Sequence, residues 1–276
     1  MDKKTIRREK IISFMKTSNV SNIKALADML NVSAMTVRRD LEFLAQENII
    51  QFYHGGAVFN PHYLEQAVNP NDYYLQQQTM LHKNEKTMIA HKTLELLVPR
   101  ETIMLDSGTS MFYFAKAIPE THNLTIILWS LNVLEELVRK PHNSILIQGG
   151  VYHPETQMFE NNQGMDIIKN SRASKAFISA GGLHTNLGVT CPFHYEVETK
   201  RAAIKCSMER ILLLDSSKFG KVCSAHMAEI HEFNVIITDS GIPEEYKEFI
   251  ESSGVQLIIA GESLHSLTPP APQAFP

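Results

Sequence analysis

From residue 3 to about 17, Ile6, Ile11, Phe14 and Met15 recur at helical spacing among basic and polar residues, which predicts a first amphipathic helix. Ser21 is placed to cap a second helix over NIKALADML, with Ile23, Leu26, Ala27 and Leu30 on one face. Asn31 and Val32 then make a tight turn, and Ser33 caps a third helix whose apolar stripe is Val37, Leu41 and Leu44. That stripe leaves Ala34, Met35, Thr36, Arg38 and Arg39 on or near the outer surface of the first turns; Met35 is read as core, with groove-facing as the alternative. IIQFYHGGAVF (49–59) alternates β-branched and aromatic residues around Gly55-Gly56 and predicts a hairpin. Three helices followed by a hairpin make a small winged helix-turn-helix domain over residues 1–59.

The pattern breaks from 60 to 82, where Pro61, Pro70, Asn69, Asn71 and Gln76-Gln77-Gln78 predict a linker. From 83 to 262 short apolar runs alternate with helical stretches. The runs are TIML, LTIILWS, SILIQGG, KAFISAGG, RILLLD, NVIITD and VQLIIA; the helices lie near 84–98 and over MFYFAKAI, LNVLEELVRK and PEEYKEFIESS. Such alternation predicts an α/β domain on a largely parallel sheet, with its ligand site at the carboxyl ends of the strands. Residues 263–276, rich in proline, are expected to be disordered.

Charge sharpens this division. Residues 1–56 hold nine Lys/Arg and six Asp/Glu, whereas the remainder holds 17 and 24, so a basic head precedes an acidic body. The head is therefore the part suited to a polyanion. The chain of 276 residues is long enough for two units. Its charged N-terminus lacks the apolar region of a signal peptide, and no run approaches membrane-spanning length. Cys191, Cys206 and Cys223 are odd in number and form no CxxC pair, so a reduced, cytoplasmic protein is expected. No HExxH, GxSxG or P-loop occurs, and no metal or cofactor is expected.

In a helix-turn-helix the second helix of the motif enters the major groove with its first turns near base edges. Thr36, Arg38 and Arg39 occupy those turns, and Ser33 can cap the helix while leaving amide donors for a phosphate. In the body, DSGTS joins a strand end to a helix start, so Ser107, Thr109, Ser110 and nearby amides can cradle an anion. Gly108 permits close approach, and Gly149-Gly150 and Gly181-Gly182 open neighbouring strand ends. Lys218 can neutralise a phosphate or meet a sugar hydroxyl; Asp106 and Glu196 can accept from hydroxyls. A single glycine pair reads first as a turn, and Asp106 as a helix cap; several such pairs at successive strand ends favour a pocket.

VSAMTVRRDLEFLAQENIIQFYHGGA (32–57) resembles the signature of DeoR-type bacterial transcriptional regulators, VS..TIRRDL followed by a hairpin ending in hGGA. The resemblance implies that Thr36, Arg38 and Arg39 contact operator DNA and that His54, Gly55 and Gly56 shape a wing. It runs to about residue 259 through LDSGTS, LTIILWSLNV, Gly149-Gly150, FISAGGLHTNLGVTC and DSSKFGK. It implies a sensor similar in fold to ribose-5-phosphate isomerases that binds a phosphorylated sugar, with Ser130 and Asn132 among the effector-binding residues. Trp129 departs from the Thr-Asn that many members carry before that serine; it either stacks on a less polar ligand face or belongs to the core. The aromatic before SLN, with GVTC and SKFGKV, is similar to the subgroup that represses deoxyribonucleoside catabolism, whose inducer is deoxyribose-5-phosphate.

The expectation is thus an oligomeric, operator-binding regulator, a repressor of a sugar or nucleoside operon released by a phosphosugar. Two alternatives stand beside it. One is a ligand-dependent activator; the other is a sugar-phosphate isomerase with an accessory head, using Asp106 or Glu196 as base.

Overall fold

The computed structural model describes residues 3–18, 20–46, 50–53, 56–59, 75–161 and 166–261, which fall into two units, Met1–Asp72 and Tyr73–Pro276. In the smaller unit, α1 (Lys3–Ser18) buries Ile11 and Met15. α2 (Ile23–Leu30) is capped by Asn22, whose side chain accepts from the Ala25 amide at 2.9 Å; the cap is one residue past the expected Ser21. Asn31 takes a left-handed conformation (φ 50°) and returns its amide to Ala27 and Asp28, which stops α2 and turns the chain. α3 (Ala34–Gln46) buries Val37, Leu41 and Leu44, as its stripe predicted. Met35, read as core, is instead 61% exposed, because it lies off that stripe on the first turn.

A three-stranded antiparallel sheet completes this unit. Strand β1 (Val20–Asn22) pairs with β3 (Gly56–Phe59), which pairs with β2 (Ile50–Tyr53), giving the order β1-β3-β2. The hairpin expected over 49–59 is the β2–β3 pair; its tip residues His54 and Gly55 lie outside the described residues.

The larger unit begins earlier than predicted. Residues 75–80, expected within the linker, form α4 (Leu75–Met80), whose Leu75 amide donates to the Glu155 carbonyl at 2.7 Å. Tyr113 Oη donates to the Thr79 carbonyl at 2.9 Å, which ties α4 down again. Its proline-free, glutamine-rich sequence looked like linker; these tertiary bonds decide otherwise. The expected tail, 263–276, lies outside the described residues.

The chain continues as α5 (Lys83–Thr93), β4 (Thr102–Leu105), α6 (Thr109–Ala117), β5 (Thr125–Leu128), α7 (Leu131–Leu137) and β6 (Ser144–Ile147). After a hairpin of β7 (Val151–His153) and β8 (Met158–Glu160) come α8 (Asp166–Asn170) and β9 (Ala173–Ser179). β10 (Gly182–His184), β11 (Gly188–Cys191), α9 (His194–Lys205), β12 (Ser207–Leu213) and β13 (Ala225–Ala228) follow. β14 (Val235–Asp239), α10 (Glu244–Ser252) and β15 (Gln256–Ala260) close the unit. Seven strands form one parallel sheet, in the order β15-β14-β12-β9-β4-β5-β6, and they are the seven apolar runs of the sequence.

Both faces of that sheet are buried, which is why its strands read as continuous apolar runs. Met104, Ile127, Ile178, Leu212 and Ile236 pack into one apolar cluster; their neighbours Ile103, Leu105, Ile126, Phe177, Ile211 and Ile237 pack into the other. The chain winds outward in two directions from β4 and β9, which lie side by side. Loops leaving the carboxyl ends of those two strands diverge, and the crevice between them is where an α/β sheet takes a ligand. β10, β11 and β13 make a separate small antiparallel sheet beside it.

Candidate DNA-reading face and ligand chamber

On α3 the apolar stripe decides what is left outside. Ser33 Oγ accepts from the Thr36 amide at 3.2 Å and sits 2.9 Å from Thr36 Oγ1, so the cap and the first turn are locked together. Arg38 and Arg39 are both exposed. Arg38 Nε donates to Glu42 Oε1 at 3.2 Å across one helical turn, an exposed pair of small worth. The third member of the Arg-Arg-Asp run faces the other way. Asp40 is 2% exposed, and its carboxylate accepts from Arg7 Nε at 2.5 Å and Arg8 Nε at 3.0 Å. The Arg8 guanidinium also lies 3.6 Å over the Phe43 ring. Asp40 thereby clamps α3 to α1 and fixes the angle at which Arg38 and Arg39 leave the surface. Gly56, expected in the wing, opens β3 opposite Tyr53.

In the larger unit a cavity of about 530 Å³, counted with its open mouth, lies at the carboxyl ends of β4, β9 and β12. It collects Ser107, Gly108, Thr109, Ser110, Gly181, Glu196 and Lys218 of the expected effector set. Ser107, Thr109 and Ser110 are buried around the first turn of α6, whose leading amides have no intrahelical acceptor. Gly108 permits this turn: its φ is 107°, and a Cβ there would stand 2.7 Å from Ser179 Oγ. Hydroxyls, amides and a helix N-terminus make this wall suited to an anion.

Asp106 does not line the chamber. It is wholly buried; its Oδ2 accepts from the Ser179 amide at 2.9 Å, from Ser179 Oγ at 3.1 Å and from Lys200 Nζ. Its Oδ1 accepts from Trp129 Nε1 at 3.2 Å. With its lone pairs spent on the protein, Asp106 is neither a hydroxyl acceptor nor a base. Trp129, also wholly buried, belongs to the core and stacks on no ligand, because its indole N–H is the donor that holds Asp106 from behind. Asn132 supports the same loop, donating to the Gly108 carbonyl at 3.4 Å, and Ser130 is buried; neither reaches the chamber.

The glycine pairs are corrected too. Gly149 and Gly150 are exposed away from the chamber, and a Cβ on Gly150 would strike the Glu160 carbonyl. Added Cβ atoms on Gly181 and Gly182 would strike Cys223 Sγ and the Lys221 carbonyl. Gly150, Gly181 and Gly182 thus make room for the protein's own chain, and of the four only Gly181 also lines the chamber, while an added Cβ on Gly149 would meet nothing within 4 Å.

Lys200 and Glu196, one turn apart on α9, join the chamber to the Asp106 network. Lys200 Nζ is 3.4 Å from Glu196 Oε2 and 3.2 Å from the Ser179 carbonyl. Burial pulls the Lys200 ammonium down, but the Asp106 and Glu196 carboxylates outweigh it and hold it above the usual lysine range. Burial raises Glu196 above the ordinary carboxylate range despite Lys200. Cys191, at the chamber wall, is pushed up to about 12 by burial and is no nucleophile.

Residues 7–62 match a DeoR-like helix-turn-helix domain, and residues 81–240 match the DeoR C-terminal sensor domain. The chain belongs to the DeoR family. It is similar to the deoxyribose operon repressor of Escherichia coli K12, at 29% identity over 92% of this chain and 99% of that one. It is 31% identical to the transcriptional regulator GolR of Listeria innocua, over 92% and 98%. A third relative, the lactose phosphotransferase system repressor of Staphylococcus epidermidis, is 33% identical over 82% and 88%. Among solved structures, ribose 5-phosphate isomerase A of Neisseria gonorrhoeae shares 15% identity over 49% of this chain and 52% of that one, with a TM-score of 0.36. That likeness is too slight to build on.

This DeoR-family regulator thus carries a DNA-binding helix-turn-helix and a parallel-sheet sensor. No helix among the described residues is long and apolar enough to cross a membrane. Sequence reasoning missed Lys200, Asp215, Ser179 and Thr156 at the chamber. The spacing of Glu196 and Lys200 at i, i+4 in HYEVETKRAAIK was the available signal for α9 and its pair.

Proposed function

We propose that this chain is a repressor of a sugar or nucleoside catabolic operon. Its α3 and β2–β3 hairpin hold operator DNA, and a phosphorylated sugar filling the chamber makes it let go. The observation that carries the effector half is the chamber's mixed lining. Ser107, Thr109, Ser110 and the α6 N-terminus suit an anion, Lys218 adds a cation, and buried Glu196 adds an acceptor for hydroxyls. A sugar phosphate has both kinds of group. Thr36, Arg38 and Arg39 are the residues proposed to meet DNA, with Ser33 setting their turn and His54, Gly55 and Gly56 forming the wing.

Release requires the sugar to bind the DNA-incompetent arrangement more tightly than the competent one. A homodimer or larger assembly in the cytoplasm would present two heads to repeated half-sites. Two of the named relatives carry different sugars in their names, deoxyribose and lactose, so the effector is to be read from this chain's own chamber. Deoxyribose-5-phosphate is the first to try, since the deoxyribose operon repressor matches along nearly its whole length.

Thermal unfolding of the full-length protein against a panel of sugar phosphates tests the effector half, because a ligand of the folded state raises its melting temperature. One or more members is expected to raise it. A panel that leaves it unmoved overturns the phosphosugar reading.

A further inference from the structure

The first turn of α3 presents apolar surface at the place where a DNA-reading helix meets base edges. Met35 is 61% exposed, more than any other large apolar side chain described in the smaller unit. Met29, on α2, is better covered, and Phe43 has the Arg8 guanidinium 3.6 Å over its ring. Met35 precedes Arg38 by three residues and Arg39 by four, so the three share one face of the helix. Val37, Leu41 and Leu44 bury the opposite face, and Ala34 beside Met35 is exposed as well.

The hydroxyls of that turn are engaged with the helix itself. Ser33 Oγ accepts from the Thr36 amide at 3.2 Å and lies 2.9 Å from Thr36 Oγ1. Between this cap and the arginines, what the turn offers a partner is a methyl and a thioether, from Ala34 and Met35. Phosphate oxygens gain nothing from either. The apolar group that double-stranded DNA displays in its major groove is the C5-methyl of thymine. An unbranched, polarisable methionine can follow that methyl as the helix settles in the groove.

We propose that Met35 is a specificity-determining residue of the DNA-reading helix, packing its side chain on the C5-methyl of an operator thymine. This rests on α3 as the helix that reads operator DNA, and adds a base group recognised by an uncharged side chain. Four residues advance about 6 Å along a helix, roughly two base steps. The thymine therefore lies within about two base pairs of the pair that Arg39 meets. Arg39 supplies charge and hydrogen bonds there; Met35 supplies contact that only a methylated base returns.

Fluorescence anisotropy of full-length wild type, Met35→Ala and Met35→Leu, on the duplex that wild type selects from a random pool, tests this. Deoxyuridine then replaces each thymine in turn, which removes the methyl and keeps every hydrogen-bonding group of the base. At one or more positions the exchange is expected to weaken wild type about 3- to 10-fold, the scale of a buried methyl group or two. Met35→Ala is expected to lose a similar factor on the thymine duplex and nothing further when that position is uracil. Met35→Leu keeps an apolar side chain of like size and is expected to retain most of the preference. Uracil that costs the alanine variant as much as wild type at every position overturns the proposal, because Met35 would then act on docking alone. A wild type indifferent to every exchange overturns it too. A wild type that selects no sequence overturns the operator reading itself and this proposal with it. Should Met35→Ala fail to fold, Met35→Gln replaces the thioether by a polar amide of similar length, and the same outcomes apply.

Discussion

In the smaller unit Arg38 and Arg39 stand exposed on a frame whose described core is nine residues, Ile11 to Ala57. In the larger unit Lys86, Lys200, Asp106, Glu196 and Asp215 are buried, and the unit's core is two extended apolar clusters. The contrast follows from what each is proposed to bind. A polyanion supplies many charges along a surface, so solvated arginines on a small scaffold suffice, at little cost in folding. A small ligand must be enclosed, so the groups that would recognise it, and the buried charges that hold those groups in place, lose their water before it arrives. Those groups persist only where each charge is paired and a large core offsets the desolvation. Asp40, a buried carboxylate of the smaller unit, fits the same logic: it is clamped by two arginines and serves position rather than binding.

Unpairing a buried charge is expected to have the largest effect. Asp106→Ala leaves Lys200 enclosed without its main counter-charge and is expected to cost the sensor unit about 3–5 kcal/mol, measured by urea unfolding. A loss below about 1 kcal/mol would mean that water reaches the pair. Arg39→Ala removes an exposed charge instead. It is expected to leave the melting temperature nearly unchanged while weakening operator binding about 10- to 100-fold, read by fluorescence anisotropy. Sugar-phosphate affinity should not move.

Lys218→Ala is the converse at the chamber. Lys218 is half-buried, so its loss is expected to weaken sugar-phosphate binding about tenfold and to leave operator affinity intact, giving a repressor its inducer releases poorly. The smallest effect belongs to Lys86, which burial lowers to about 8 from the ordinary 10.5. Between those values the unfolded chain binds more protons than the folded one, so Lys86's contribution to stability rises with pH across the window. At pH 7 both states carry the proton and the penalty is fully present. The stability difference between Lys86→Met and wild type should therefore shift toward wild type by on the order of 1 kcal/mol from pH 7 to 9.5. A flat difference would show that Lys86 titrates normally.

How much of this was legible depends on whether a feature is local. The α3 stripe, the seven parallel strands and the anion-suited turn at Ser107–Ser110 each lie within one short segment, and period and residue type exposed them. Pairings across the chain were hidden. Lys200 meets Asp106 from 94 residues away, and Arg7 reaches Asp40 from 33 away, so neither partner looked special alone. Trp129 shows the same limit from the other side. Its position at a strand end fitted a ligand contact, and only the fold reveals that its indole N–H is spent on Asp106. Glycine pairs misled for a related reason, since Gly150, Gly181 and Gly182 yield space to carbonyls and a sulfur of the protein itself. α4 was missed because tertiary bonds to Glu155 and Tyr113, not its own periodicity, hold it.

Exposed charge is proposed to read DNA while the buried chamber decides when to release it. Fluorescence anisotropy of the full-length protein on labelled DNA from beside its gene, titrated with deoxyribose-5-phosphate and then the other sugar phosphates, decides between these roles. Tight, salt-sensitive binding that one sugar phosphate weakens, in wild type but not in Lys218→Ala at the same concentration, is the predicted result. Specific binding that no sugar phosphate alters, or that Lys218→Ala abolishes outright, would contradict it.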